Sequence, residues 1–117
     1  MIKVSSLSDI LKTSFDGHHI TEYSHVMLCG ERRRDTLAFS ITSIVNNDGC
    51  VLIKHGRSNH ETPCMSAFDV LQRLGELDQN EDLVLSQDDG SKLAIIHMSP
   101  IIFGDILLIE VGTAQLS

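Results

Sequence analysis

Two histidines occupy matching places in the sequence, each at the end of an alternating apolar segment. His55 ends residues 51–55 and His97 ends residues 93–97, with aliphatic residues two and four positions earlier in both segments. Because side chains on a strand alternate between its two faces, each imidazole shares the face of those aliphatic residues. Two imidazoles that met at the edge of the core, with Glu61 nearby, would form an acid–base or ligand-binding pocket. The simpler interpretation, which the sequence favours, is a partly buried histidine bonded to a backbone carbonyl.

Cysteine and histidine also occur together between residues 50 and 64, in the residue types that bind zinc. The four residues are Cys50, His55, His60 and Cys64. Cys50 and His55 are five positions apart, so they would face opposite sides of a regular strand. The spacing also lacks the close Cys-x-x-Cys pair that makes zinc signatures specific. The pattern indicates ordinary thiols and imidazoles, and we expect neither a metal nor a cofactor.

Catalytic motifs are missing from the sequence. There is no Gly-x-Ser-x-Gly, no glycine-rich phosphate loop and no His-Glu-x-x-His. No segment places a nucleophile, a base and an orienting group at a specific spacing. A non-catalytic protein is therefore favoured. The alternative is a small-ligand-binding protein or minor enzyme with a pocket near His55 and His97.

Acidic residues are concentrated in one window of the chain. Residues 69–89 contain seven carboxylates and one base, Arg73, a balance of −6 against −7 for the whole chain. Two of these acids, Glu76 and Asp78, lie at the carboxyl end of a predicted helix, where the helix dipole disfavours negative charge. A concentrated acidic face would attract and orient a cationic protein, whereas a merely solvated face is the alternative. We predict a partner-binding face that consists of Asp69, Glu76, Asp78, Glu81, Asp82, Asp88 and Asp89.

The overall charge of −7 limits the class of partner. Nucleic-acid binders need a basic face for phosphate contacts, so no nucleic-acid partner is expected. The arginines at residues 32–34 are flanked by Glu31 and Asp35, which leaves a local charge of only +1. A basic protein partner is expected instead. It would be a toxin that the chain neutralises, as an immunity protein or inhibitor does, or a secreted client that the chain escorts.

Length and composition are typical of a single globular domain over residues 1–117. Apolar residues make up 42% of the chain and charged residues 21%. No apolar run approaches the roughly eighteen residues of a membrane span, so no membrane association is expected. Three cysteines in no disulfide-framework spacing, and no secretory signal at the first residues, favour a reducing compartment. We therefore expect a cytoplasmic protein.

The first of two predicted hairpins turns at residues 47–49. Its alternation favours a three-residue loop that sets Val45 opposite Val51 and Ile41 opposite His55. A two-residue turn would shift the pairing by one and move the apolar residues of one strand to the wrong face. We expect the glycine of this loop to take the left-handed backbone conformation.

The second predicted hairpin turns at residues 88–90, which also end in glycine. The same argument pairs Leu85 with Leu93 and Leu83 with Ile95. The residue that follows this hairpin, Pro100, is expected to end the strand because it has no N–H for the ladder. An almost wholly apolar last strand is predicted over residues 106–111.

Two helices are predicted from apolar periodicity and capping residues. The first covers residues 6–15, with Ser6 as cap, and Asp16 and Gly17 follow its end. The second covers residues 62–77, with a threonine cap followed by proline in the first turn. A weaker strand over residues 20–29 completes the set of elements.

The predicted order is helix, three strands, helix, three strands. Antiparallel hairpins with two helices on one face indicate an α+β two-layer sandwich with a mostly antiparallel sheet of about six strands. The two turns that end in glycine resemble each other, but the spacing elsewhere differs, so no internal repeat is predicted.

This element order, with the small size and an isoelectric point of 5.1, is similar to that of bacterial type III secretion chaperones. Those proteins are homodimers that wrap an unfolded stretch of effector. The resemblance covers the order of elements through about residue 99 and implies a binding module. It departs at residues 106–111, where that family usually closes with a helix.

The apolar late strands predict an assembly. Residues 93–98 are apolar or histidine on both faces of the strand, and residues 106–109 include no polar residue. Two helices can cover one face of a six-stranded sheet, so the other face requires a partner. We predict a homodimer, and the alternative is a curled sheet that closes on itself.

Overall fold

The computed structural model describes residues 1–30, 39–56, 64–87 and 89–116 and has the predicted α+β class. Within these residues, two helices and six strands follow one another in the predicted order. The elements are α1 (Val4–Asp16), β1 (His25–Gly30), β2 (Phe39–Asn47), β3 (Cys50–Gly56), α2 (Ala67–Gly75), β4 (Asp82–Ser86), β5 (Lys92–Phe103) and β6 (Ile106–Gln115).

The six strands close into a barrel in their order along the chain. Within each run of three strands the neighbours are antiparallel, whereas β3 pairs with β4 and β6 pairs with β1 in parallel. The sheet is therefore mostly antiparallel, as predicted, and it curls until its last strand meets its first. Closure covers the inner face of the late strands without help from another chain.

The core lies inside the barrel and under the two helices. Leu7 and Leu11 of α1 and Leu74 of α2 are fully buried together with strand residues such as Ile53 and Ile109. The spacing of the buried helix residues is that of one apolar stripe on a helix. Burial of each such leucine or isoleucine contributes about 1.5–3 kcal/mol to folding.

The turn of the first hairpin has two residues rather than the predicted three. Asn47 pairs with Cys50 across the turn, and Val45 pairs with Leu52. The predicted pairing of Val45 with Val51 is therefore wrong. Val45 lies at the surface, while Val51 is fully buried.

A β-bulge between Ile41 and Ser43 corrects the shift that the short turn introduces. Beyond the bulge Ile41 pairs with His55, as predicted, and both Ile41 and Ile53 are fully buried. One extra residue in β2 thus satisfies the tight turn and the buried face together. Gly49 has a φ of +91°, the conformation expected of the turn glycine.

The segment before each helix inserts between two strands of the barrel. The N–H of Ile2 donates to the Ile95 carbonyl in β5 at 2.9 Å, and the Ile2 carbonyl accepts from the N–H of Leu83 in β4 at 2.8 Å. In the other half, the N–H of Met65 donates to the Ile41 carbonyl in β2 at 2.9 Å. Leu83 and Ile95 are thus separated by Ile2, and their predicted direct pairing is wrong.

These contacts make the barrel from two αβββ units with matching hydrogen bonds. The N–H that begins α1, from Val4, donates to the Glu81 carbonyl just before β4 at 3.0 Å. The N–H that begins α2, from Ala67, donates to the Ser24 carbonyl just before β1 at 2.8 Å. In each unit a bulge also lies one residue after the strand residue whose carbonyl accepts a hydrogen bond from the inserted segment. The prediction of no internal repeat is wrong because the repeat lies in the backbone bonding.

α2 begins later than its sequence pattern predicts. Cys64 and Met65 are not helical, and the helix begins at Ala67 with Ser66 as its cap. The predicted cap at residue 62 and proline at residue 63 lie outside the described residues. The apolar periodicity extended the predicted helix over residues that pair with strands instead, so the predicted start is wrong.

α1 begins two residues before its predicted start. Its N-cap is Lys3, which makes no side-chain cap bond, so Ser6 lies inside the helix and the predicted cap is wrong. The helix ends at Asp16, one residue later than predicted, with Gly17 as its C-cap. The chain enters α1 from the strand-like segment of residues 1–3, whose strand partners position the first turn in place of a capping side chain.

The second hairpin keeps its predicted inner pairing. Leu85 pairs with Leu93. β5 then continues through Pro100, which pairs with Ile109 in β6, so the predicted end of the strand is wrong. The pairing of β5 with β4 ends at Ala94, and Ile95 then bonds to the inserted Ile2. Past Ile95 the described strand pairs with β6 alone, an edge position that tolerates proline.

Candidate functional site

A cavity of about 210 Å³ opens at one mouth of the barrel. The two helices begin beside the residues that precede β1 and β4. The cavity is lined by residues at the other ends of these two strands, so it lies at the opposite end of the barrel from the helix starts. Its wall is mostly apolar and includes Leu28, Leu85, Leu93 and Val111. Barrel mouths are common positions for small-ligand sites, because the interior there is accessible but dry.

His55 lies in the wall of this cavity. It is half-buried at the end of β3, and its imidazole packs against the ring of Phe39 with centroids 5.4 Å apart and planes tilted by 53°. Gln87 and Thr113 add an amide and a hydroxyl to the wall. Cys29 is the fourth residue here with a polar side-chain atom.

The structure does not bring His97 to His55. A bulge between Ile95 and His97 interrupts the alternation of β5, so Ile95 is buried while Ile96 and His97 are exposed. His97 pairs with Gly112 and is not among the described residues that line the cavity. The third member of the predicted pocket, Glu61, lies outside the described residues.

A cysteine–histidine contact that the sequence did not reveal lies where the chain enters α2. Sγ of Cys64 and Nδ1 of His25 are 3.5 Å apart. Cys50, by contrast, lies at the first hairpin turn, where its thiol donates to the Asn47 carbonyl at 3.3 Å. Within the described ranges no group of three or more histidine, cysteine or acidic residues could hold a metal. Within the zinc-like pattern, Cys50 and Cys64 therefore have their described contacts in different parts of the fold.

Two of the predicted partner-binding acids belong to α2 and its ends. Asp69 and Ser66 form a capping box, in which each backbone N–H donates to the other side chain at 3.2 Å. Glu76 accepts from Arg73 Nη1 at 3.1 Å, and Arg73 Nε donates to the Ile44 carbonyl at 2.9 Å. Both carboxylates thus have local partners while remaining at the surface.

Three further acids lie in and after the turn that leads from α2 to β4. Asp78 accepts the N–H of Asn80 at 2.9 Å, and Asp82 forms an ion pair with Lys3. Glu81 is half-buried between them. This ion pair is partly exposed, so it contributes at most about 1 kcal/mol.

The last pair of acids belongs to a different part of the surface. Asp89 lies in the β4–β5 turn, beyond the end of β4 that reaches the barrel mouth, and Asp88 lies outside the described residues. The side-chain and backbone bonds that Ser91 donates to Asp89 lower the pKa of that carboxyl. β4 spans roughly 15 Å between Asp82 and this turn, so the described acids form two groups rather than one face.

α2 is flanked by two grooves. The groove between α1 and α2 has an apolar floor of Phe15, Phe68 and Leu71, with Asp16, Glu22 and Lys12 around it. The groove on the other side of α2 is more polar and includes Asp69, Gln72 and Glu76. Phe68, which lines the groove between α1 and α2, is 48% exposed. We define the α2 surface as Asp16, Glu22, Phe68, Asp69, Leu71, Gln72 and Glu76.

No helix among the described residues is long and apolar enough to cross a membrane. Comparison of the chain with protein-family models, curated proteins and solved structures finds no match.

Proposed function

We propose that this chain is a non-enzymatic binding module that captures a basic protein partner on the α2 surface. The observation that carries the proposal is Phe68, a half-exposed aromatic ring with carboxylates on both sides. Asp16 and Glu22 flank it in one groove, and Asp69 and Glu76 lie on the other side. A central aromatic anchor within a polar rim is the usual arrangement of an interaction hot spot.

The charge of the α2 surface supports a cationic partner. Its four carboxylates are opposed in the same grooves by Lys12 and Arg73, and Arg73 is bonded to Glu76 and to a backbone carbonyl. Asp78, in the turn that follows α2, adds another exposed carboxylate near its end. Such a field raises the rate of encounter with a basic protein and fixes its orientation.

The partner classes proposed from the sequence both fit this surface. A toxin with a basic phosphate-binding groove would be neutralised by the carboxylates, and a secreted client with apolar and basic residues would be held by Phe68 and its rim. Asp89 and Asp88 belong to the β4–β5 turn and have no part in this form of the proposal.

The setting of the proposal is a homodimer in the cytoplasm. β5 exposes Ile96, Ile102 and Phe103, and Phe103 is 72% exposed. Exposed apolar residues on one strand support a contact with a second copy. The number of cysteines is odd, and Cys29, Cys50 and Cys64 are all thiols. Both features support a reducing compartment.

The test is capture of proteins from the native host at low and moderate salt. The wild type should retain a basic protein, and Phe68→Ala should weaken its binding by about thirty-fold, because an aromatic hot spot contributes roughly 2 kcal/mol. The double substitution Asp16→Asn/Glu22→Gln should weaken binding most at low salt, where charges are least screened.

Matched controls lie on other surfaces of the same chain. Leu116→Ala removes another exposed apolar side chain, and Asp89→Asn removes another exposed carboxylate. Both controls should bind like the wild type, and circular dichroism should show that all variants are folded. Equal retention by Phe68→Ala and the wild type, or no retained basic protein, would contradict the proposal.

A further inference from the structure

The barrel mouth is a second site, separate from the α2 surface and outside the proposed function. We infer that its cavity binds a small, uncharged, aromatic ligand that carries one hydrogen-bonding group. The inference depends on the chemistry of the wall, the arrangement of two rings in it and the volume of about 210 Å³.

The described part of the wall offers no counter-ion to a charged ligand. None of the described residues that line the cavity is lysine, arginine, aspartate or glutamate. A cation or anion would lose its hydration there without gaining a counter-ion, which is costly in an apolar site. The ligand class is therefore neutral.

The rings favour a flat ligand. Phe39 and His55 stand side by side with a tilt of 53°, and four of the other described lining residues are leucine or valine. An aromatic ligand can pack edge-to-face against a ring of this pair, which adds to the gain from apolar burial. A saturated ligand of the same size gains the burial alone.

The polar atoms of the wall specify one hydrogen bond. Gln87 supplies an amide, which can donate or accept, and Thr113 supplies a hydroxyl near the solvent-exposed rim. A ligand with one hydroxyl or N–H can place its ring inward and its polar group towards these side chains. This is the division of roles found in most small-molecule sites.

The volume sets the size of the ligand. A cavity of about 150 Å³ accommodates benzene, which has six carbon atoms. By proportion, the mouth cavity suits roughly eight non-hydrogen atoms. Benzyl alcohol has this size and chemistry, and it is the probe that we choose.

Three probes of equal size separate the terms of the argument. Benzyl alcohol is neutral and aromatic, benzylammonium is cationic and aromatic, and cyclohexylmethanol is neutral and saturated. Each is titrated into the isotope-labelled full chain while NMR spectra record the methyl groups and the His55 ring. We expect benzyl alcohol to shift Leu28, Leu85, Val111 and His55 signals, and to bind at least about tenfold more tightly than benzylammonium. Cyclohexylmethanol should bind more weakly than benzyl alcohol.

Filling the cavity provides the matched variants. Leu93→Phe places a larger side chain in the wall, and Ile96→Phe makes the same type of change three residues further along β5, on the exposed surface. Leu93→Phe should abolish the shifts and Ile96→Phe should preserve them. If Leu93→Phe does not fold, Thr113→Phe fills the rim from an exposed position and should have the same effect.

Several outcomes would overturn the inference. They are no saturable shifts with benzyl alcohol, shifts confined to residues outside the cavity, equal binding of benzylammonium, or unchanged binding in both filled variants. Phe68→Ala should leave probe binding unchanged, so failure at the barrel mouth and failure of the α2 surface are distinguishable.

Discussion

The serine that caps α2 is the position where one hydroxyl should have a measurable effect on the whole fold. Ser66 Oγ accepts the N–H of Asp69 at 3.2 Å, and Ser66→Ala removes this acceptor. Loss of such a cap costs about 1 kcal/mol of stability. α2 has nine residues, too few to persist as a helix alone, so the cost should appear in global unfolding.

The structure also indicates which part of the core should lose stability when the cap is removed. Ala67, Val70 and Leu74 of α2 are fully buried, so fraying of the first turn exposes part of the core. For a chain of 117 residues, a loss of about 1 kcal/mol lowers Tm by roughly 4 °C. With a typical urea m-value, the same loss lowers the midpoint of unfolding by about 0.5 M.

Ser91→Ala is the matched control, because it removes another serine hydroxyl bonded to an aspartate. Ser91 Oγ donates to Asp89 at 2.6 Å, but both residues are exposed in a hairpin turn. Its effect should stay within about 0.5 kcal/mol. Urea unfolding followed by circular dichroism compares the two variants. An unchanged midpoint for Ser66→Ala, or equal changes in both, would show that the capping box does not hold α2.

Three further predictions follow from other features. Met65→Pro removes the N–H that donates to the Ile41 carbonyl, and Ile2→Pro removes the N–H that donates to the Ile95 carbonyl. In urea titrations each substitution should lower the free energy of unfolding by about 1–3 kcal/mol. A neutral effect of either substitution would contradict the matching roles of the two inserted segments. Light scattering after size exclusion should give twice the chain mass of 12.9 kDa, and Phe103→Ser should reduce it, whereas a wild-type mass of 12.9 kDa would refute the homodimer. The hydrogen bonds from Ser91 lower the pKa of Asp89, so the ionised Asp89 should stabilise the fold above the unfolded-state pKa, and this stabilisation should be lost as pH falls through the lower folded-state pKa. An NMR titration should therefore place the midpoint of Asp89 below the usual aspartate range, and Ser91→Ala should raise that midpoint.

Local patterns were sufficient to predict the class of the fold and part of the pairing in each hairpin. Apolar alternation places Ile41 opposite His55 and Leu85 opposite Leu93, as the structure does. The position of Gly49 identifies its turn because few other residues accept a positive φ. These features depend on residues that are close in sequence, which is where periodicity is informative.

Long-range insertion and bulges are what the sequence could not reveal. The segment around Ile2 is too short to have a period, and its strand partners are more than eighty positions away. A bulged strand has the same apolar letters as a regular one, so nothing in residues 93–97 shows that His97 leaves the face of Ile95. The predicted two-histidine pocket was therefore half right in position, since His55 lines a cavity and His97 does not.

The exchange of leading segments between the two units has a consequence for the order in which the chain can mature. Ile2 is made well before its hydrogen-bond partners Leu83 and Ile95. At about 5–20 residues per second, synthesis of the intervening chain takes roughly 5–20 s. During that interval α1 lacks the strands that hold its first turn, whereas Met65 meets the completed β2 as soon as it emerges. The strand partner of the second unit's entry segment thus exists before that segment is made, whereas the partners of the first unit's entry segment are made after it.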